Sequence, residues 1–406
     1  MTIATTSRAQ LRRIPETTFG TTPVIGNGWN LRVTGESFNF DIKKEMSKEL
    51  RADRQIGYAV PVSAGATGGF NFHLNYGEYD PEIESVLQGA WAIYGTNGVG
   101  TTFTADFTAT TITATVAPTG ANAFTTLQKG QWFRLLAPSH ANNGLILRVS
   151  PTTAPTSTVI TLDAATPAAV GSAIALCVVQ SARVSNGTTQ TSFSYEKEFP
   201  DVAQLLVFRG MTPGKLTLNF ASAALTDGSF EFMGKNAVRG VTTFMPGTAV
   251  ASRTFEIMNG ASGVGQLYEA GVALTTTFIK SLALTVDNVQ RSQEAIGTLG
   301  YVGIGSGTVQ VKATMEVYFS DGSLYDKFVA NTYTSLTVGS VDTAGNGYVV
   351  SMPRVNIMSG KIVAGSKDTD LMASFEVMAL ADDANATVAL RKTLFIDRFG
   401  VALAPL

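Results

Sequence analysis

Phe70-Asn-Phe-His-Leu-Asn-Tyr76 is the stretch that decides the fold class. Phe70, Phe72, Leu74 and Tyr76 alternate with Asn71, His73 and Asn75, the period of two expected of a strand with one buried face. The surrounding block, Gly35 to Trp91, reads as one unit. Phe38 and Phe40 alternate with Ser37, Asn39 and Asp41 in a preceding strand. Between the two strands lies a charged loop, Lys43 to Arg54, with Lys43, Lys44, Lys48, Arg51 and Arg54 set against Glu45, Glu49 and Asp53. Mixed charge at this density suits a solvated loop or a short salt-bridged helix. It suits equally a docking contact between subunits, where charges set register more than affinity. Asp80 before Pro81 predicts a helix start with Asp80 as N-cap, and Ile83, Val86, Leu87, Ala90 and Trp91 form one apolar face. Glu78, Asp80, Glu82 and Glu84 are thereby assigned to capping and the helix dipole.

Working outward, residues 1 to about 30 lack a period and read as a loop-like arm, with Ile14, Phe19 and Trp29 available to pin it against a neighbour. Residues from about 97 to 185 are rich in Thr, Ala and Pro. Their short runs, such as Thr110–Val116, Trp132–Leu136 and Thr158–Leu162, are separated by turn signals and predict a small inserted β-barrel or sandwich. Beyond Thr191 the aromatic, charge-flanked pattern of the Gly35–Trp91 block returns. A turn is expected at Met211-Thr-Pro-Gly214, then strands over Lys215–Phe220 and Ser229–Met233, then a connecting region from 234 to about 272.

Self-similarity extends the reading. Ser229-Phe-Glu-Phe-Met233 is echoed by Ser374-Phe-Glu-Val-Met378. The run from Phe70 to Asp80 is echoed by Val309–Phe319 with Tyr325 and Asp326, and Phe38-Asn-Phe40 by Leu282-Ala-Leu284. The gap from Asp80 to Phe230 exceeds that from Asp326 to Phe375 by about the length of the Thr-rich region. Two copies of one β-rich fold, the first interrupted by an insertion, account for both observations.

Composition narrows the function. Charged residues make up 15% of the 406, below the roughly 25% of ordinary globular chains, which favours extensive subunit interfaces, although a compact all-β protein would show the same. A net charge of −2 does not describe a polyanion-gripping protein. One cysteine, Cys177, in the apolar run Ile174–Val179, excludes an internal disulfide and a cysteine-rich zinc site and reads as a buried small hydrophobe. No signal-peptide-like start and no long apolar run are present, so a soluble protein made in a cytoplasm is expected. His73 and His140 have no ligand-spaced companions, so no metal or cofactor is expected. No G-x-S-x-G or P-loop occurs, and Gly303-Ile-Gly-Ser-Gly307 reads as a turn or loop because no helix follows it. An enzyme is not expected.

Ser47-Lys-Glu-Leu-Arg-Ala-Asp-Arg-Gln-Ile56 together with Phe70–Asp80 resembles the major tail tube proteins of long-tailed, non-contractile bacteriophages. So do Tyr195-Glu-Lys-Glu-Phe-Pro-Asp201 and Ser229–Lys235. The resemblance implies a β-sandwich with a flanking helix that packs into rings. The rings stack into a tube in the virion tail, with a β-barrel wall through which DNA passes without sequence-specific binding. It also implies tape-measure and tail terminator proteins as partners, and no membrane.

The expected fold is mainly β, with two tandem copies of the tail-tube β-sandwich/barrel fold, short flanking helices and an inserted small all-β domain. The divisions are an arm at 1–30, a discontinuous first tube domain at 31–95 and 187–272, the insertion at 96–186, and a second tube domain at 273–406. A homotrimeric ring with pseudo-sixfold symmetry follows, with a homohexamer as the alternative. Lys43, Lys44, Lys48, Arg51, Asp53 and Arg54 are the expected inter-ring contacts. The competing functions are a non-polymerising carbohydrate-binding tail or adhesin protein, which needs exposed aromatic platforms, and a β-rich glycoside hydrolase, which needs paired carboxylates across a cleft.

Overall fold

A computed structural model describes residues 3–163, 170–260, 268–269, 272–273, 278–319, 322–364, 367 and 370–403. The protein is mainly β, with 48% strand and 8% helix. Its principal elements are β1 (Gln10–Pro15), β2 (Asn39–Met46), β3 (Ala59–His73), α1 (Asp80–Leu87), β4 (Ala182–Ser185), β5 (Phe193–Phe199), β6 (Gln204–Ala221), β7 (Asp227–Gly234) and β8 (Asn236–Gly240). They continue with β9 (Ile279–Asp287), β10 (Gln310–Tyr318), α2 (Ser323–Val329), β11 (Thr334–Val341), β12 (Gly347–Val363), β13 (Met372–Ala379) and β14 (Phe395–Phe399).

The antiparallel pairings give the order β2-β3-β7-β6-β5 in the first part of the chain and β9-β10-β13-β12-β11 in the second. β6 also pairs with β9, so the two sets join into a curved sheet of eight strands ending at β2 and at the C-terminal half of β12. β6 and β12 are long because each serves two layers. The N-terminal half of β6 lies between β5 and β8, and that of β12 between β11 and β14. Each long strand carries a bulge where it changes layer, between Pro213 and Lys215 in β6 and between Ile357 and Ser359 in β12. Bulges bend a strand and increase its twist, as a corner between layers requires. Met211 to Gly214 is therefore not the expected turn. Proline is tolerated there because the ladder is already irregular at the bulge.

The core lies between the layers. In the first part it is aromatic: Phe72 stacks on Phe230 at 5.2 Å, and Phe38 stacks on Tyr195 at 5.1 Å. In the second part Leu284, Val311, Met315, Val350 and Val377 do the same work. The N-terminal region is not a loop-like arm throughout: β1 pairs along β5, and Leu11 and Ile14 are buried. Of the expected connecting region, 236–240 is β8, and residues 261–267 and 270–271 lie outside the described residues. Gly303–Gly305 is a strand paired with Arg291–Gln293 rather than a loop.

Residues 103–180 contain a separate six-stranded sheet with its own apolar core, including Phe107, Phe133 and Cys177. Burial pushes the Cys177 thiol up to about 11. Three groups attach this sheet to the main one. Arg183 and Asp397 stand opposite each other within the main sheet, joined at 2.6 and 2.7 Å, and both reach the inserted one. Arg183 donates to the Gly130 carbonyl at 2.7 Å, Asp397 accepts the backbone N–H of Trp132 at 3.1 Å, and Trp132 packs on Val349 and Phe399. Asp397→Ala leaves a buried arginine without its charge partner, which is expected to cost about 3–5 kcal/mol. A lower urea midpoint reads this out, and an unchanged midpoint would contradict a dry ion pair.

Candidate assembly surfaces

Beyond Asp41 and Gly65, β2 and β3 leave the sheet as a two-stranded arm. Lys43 stands opposite Ser63, Lys44 opposite Pro61 and Met46 opposite Ala59, and the Ser47 N–H donates to the Tyr58 carbonyl at 2.9 Å. The expected charged loop is thus half strand: Lys43 and Lys44 are in the ladder, and Lys48, Arg51, Asp53 and Arg54 occupy the tip. The six candidates share one exposed projection. At the tip Arg51 donates to both carboxylate oxygens of Asp53, at 3.0 and 2.7 Å, and this contact holds the Asp53 carboxyl below its usual range. Arg54 takes a left-handed backbone conformation, φ 57°.

Charge is only part of the arm. Ile42, Met46, Leu50, Ile56, Tyr58, Val60 and Val62 are also exposed on it, and Leu50 is completely so. An isolated hairpin is marginal in water, and exposed apolar residues at this density mark a surface meant to be covered. The alternation in Tyr58-Ala-Val-Pro-Val62 is the signal in the sequence that marks this strand, and the dense charge beside it obscures it.

A second, shorter hairpin, Arg291–Gln293 with Gly303–Gly305, exposes Ile296, Leu299 and Val302. It props the arm: Ser63 Oγ donates to Glu294 at 2.8 Å, and the Tyr301 ring occupies the space that a Cβ on Gly65 would need.

The third surface is the outer face of the eight-stranded sheet. The register places Asn71, Ser229, Thr217, Thr285, Lys312 and Lys361 on it, while Phe70, Phe230, Leu216, Leu284, Val311 and Phe375 face the core. Its charges are Asp41, Asp227, Glu231, Asp287, Glu316 and Glu376 against Lys215, Lys312 and Lys361, an excess of carboxylates among the described residues. Some are paired across strands, Lys215 with Glu231 at 2.8 Å and His73 with Asp227 at 2.5 Å.

The acidic cluster at α1 does not perform the capping expected of it. The N-cap is Tyr79, and Asp80 is the first helical residue, with Pro81 in the first turn. The Asp80 carboxylate is buried against Arg398 and accepts the Tyr348 hydroxyl at 2.6 Å. Glu82 is buried against Arg13 and accepts the Tyr195 hydroxyl at 2.9 Å. Asp80 and Glu82 are held by arginines from β14 and β1, so α1 ties together strands from both ends of the chain. Among the described residues no group of three metal-ligating side chains occurs, and no helix is long and apolar enough to cross a membrane.

A family model described as phage tail tube protein matches residues 6–379. No curated protein matches the chain.

Proposed function

The chain belongs to the phage tail tube protein family, a non-enzymatic structural component of the virion tail that polymerises into the tube, and we propose that it does so as a ring of three chains with pseudo-sixfold symmetry. The observation that carries this reading is the repeated strand order. β2-β3-α1-β5-β6-β7-β8 and β9-β10-α2-β11-β12-β13-β14 pair in the same way, with a bulge at the same place in β6 and β12. This supports a duplication in which 31–95 with 187–272 is one tube unit and 273–406 the other. The echo in the sequence is shifted by two: Leu282 stands opposite Met315 as Glu36 stands opposite Phe70, so Leu284 occupies the place of Phe38.

Size supports three chains. With the carboxylate-rich face turned inward, three sets of eight strands spaced about 4.8 Å apart enclose roughly 37 Å between backbones, and strand tilt only widens this. Two chains give roughly 24 Å, which side chains from both walls would largely fill. A bore of the larger size, lined by a mild excess of negative charge, lets a DNA duplex pass without being gripped. Rings also cover the open sheet edges of each subunit. The arms, one long and one short per chain, then bridge to the adjacent ring through Lys43 to Arg54 and the apolar residues beside them. The tape-measure and terminator proteins are assigned to the bore and the tube end.

The inserted sheet projects from the outer surface. Ala182–Ser185 pairs with β14 and with Ala92–Ile93, so the separable part of the insertion ends at Gln180, short of the expected boundary at 186. Cryo-electron microscopy of purified tubes tests the stoichiometry. Threefold rings with sixfold-like walls and three knobs are expected, and rings of six whole chains would overturn the proposal.

A further inference from the structure

We propose that the ring closes through an antiparallel ladder between Ser359–Val363 of one chain and Ser37–Asp41 of the next, with Lys361 opposite Asn39. This rests on the ring of duplicated units and adds its contact and register.

The template is the ladder between β6 and β9, which joins the two halves within one chain. There Thr217 stands opposite Thr285. Thr217 is opposite Ser229 on its other side, and Lys361 is opposite Ser374; these serines begin the two matching runs Ser229–Met233 and Ser374–Met378. Lys361 therefore holds the position of Thr217. Thr285 is opposite Lys312, which is opposite Met378; Asn39 is opposite Thr67, which is opposite Met233. Met233 and Met378 end those same runs, so Asn39 holds the position of Thr285. The internal pair Thr217–Thr285 thus maps onto Lys361 and Asn39 with no freedom in register.

Both edges are open. Among the described residues, Ser37–Asp41 and Ser359–Val363 are paired on one side only, to β3 and to β13. The Phe38 N–H, turned away from β3, meets only its own chain's Glu36 carboxylate, at 3.1 Å. Open edges of this kind are templates for another strand, and here the other half of the chain already shows which one. In the proposed register Ile362 covers the edge beside Phe38, and Lys361 lies diagonal to Asp41, an attractive cross-strand pair.

A double variant, Asn39→Cys with Lys361→Cys, tests the register in assembled tubes. Both side chains are on the polar face, and the single native cysteine is buried. Directly opposed residues have Cα atoms about 4.5–5.5 Å apart, within disulfide reach. Mild oxidation is expected to give covalent dimers and trimers on non-reducing gels and no species above the trimer. Lys43→Cys with Lys361→Cys, about 13 Å apart along the ladder, is expected to give none. In wild-type tubes, amide exchange at 37–41 and 359–363 is expected to slow at least tenfold relative to free subunits. Tubes in which the first pair fails to cross-link, or in which those amides remain unprotected, overturn the register while leaving the ring intact. A wild-type chain that forms no rings overturns the ring reading itself.

Discussion

Replacing residues 48–57 by Asn-Gly is expected to give a folded, soluble subunit that no longer stacks into tubes. The fold tolerates the change because every one of those ten residues is exposed and the strands are already closed at Ser47 and Tyr58 by a 2.9 Å hydrogen bond. Asn-Gly is the favoured two-residue turn for such a pair of strands. Surface changes of this kind move stability by about 0.5 kcal/mol or less, so the melting temperature is expected to stay put. Assembly is different, because the excision removes Lys48, Arg51, Asp53 and Arg54 together with Leu50 and Ile56. Sedimentation and negative-stain images are expected to show subunits or single rings only. Tubes of normal length from this variant would remove the arm from the stacking contact. Reversing Arg51 and Arg54 alone is expected to weaken stacking less, and more so at low salt, since exposed charges are screened within about 10 Å at 0.1 M salt.

Two deletions of the inserted sheet are expected to behave in opposite ways. Removing 97–185 takes away Ala182–Ser185, with buried Val184 and the Arg183 that neutralises Asp397. An uncompensated buried charge costs about 3–5 kcal/mol, and losing a buried valine adds about 1.5 kcal/mol or more. Those losses are a large part of the roughly 5–15 kcal/mol that holds a domain folded, so this variant is expected to be insoluble. Replacing 95–180 by Asn-Gly instead joins Tyr94 to Ser181, which are already linked by a 3.1 Å hydrogen bond, and keeps the Arg183–Asp397 fork. It is expected to melt earlier, because Val349 and Phe399 lose the cover of Trp132, and still to form tubes with smooth walls. A folded but non-assembling short deletion would mean that the inserted sheet takes part in the ring contact.

Much of this protein is legible from residue order because β-structure with one buried face writes a period of two into the chain. Phe70–Tyr76, Lys215–Phe220, Ser229–Met233 and Val309–Phe319 carry that period, and each has strand within it. The arm is half legible: Lys43 and Lys44 look like loop because their partners, Ser63 and Pro61, come about twenty residues later. What needs the tertiary structure is everything set by partners far away. Pro213 and Gly214 continue a strand only because β7 supplies the other side of a bulge. The α1 carboxylates look like caps until Arg13 and Arg398 arrive from the two ends of the chain. Local alternation decides which segments are strands, since side-chain direction along a strand is a property of the backbone itself. Partner and register are decided only by tertiary structure, since a ladder forms between segments whose separation in sequence costs little once both faces are buried.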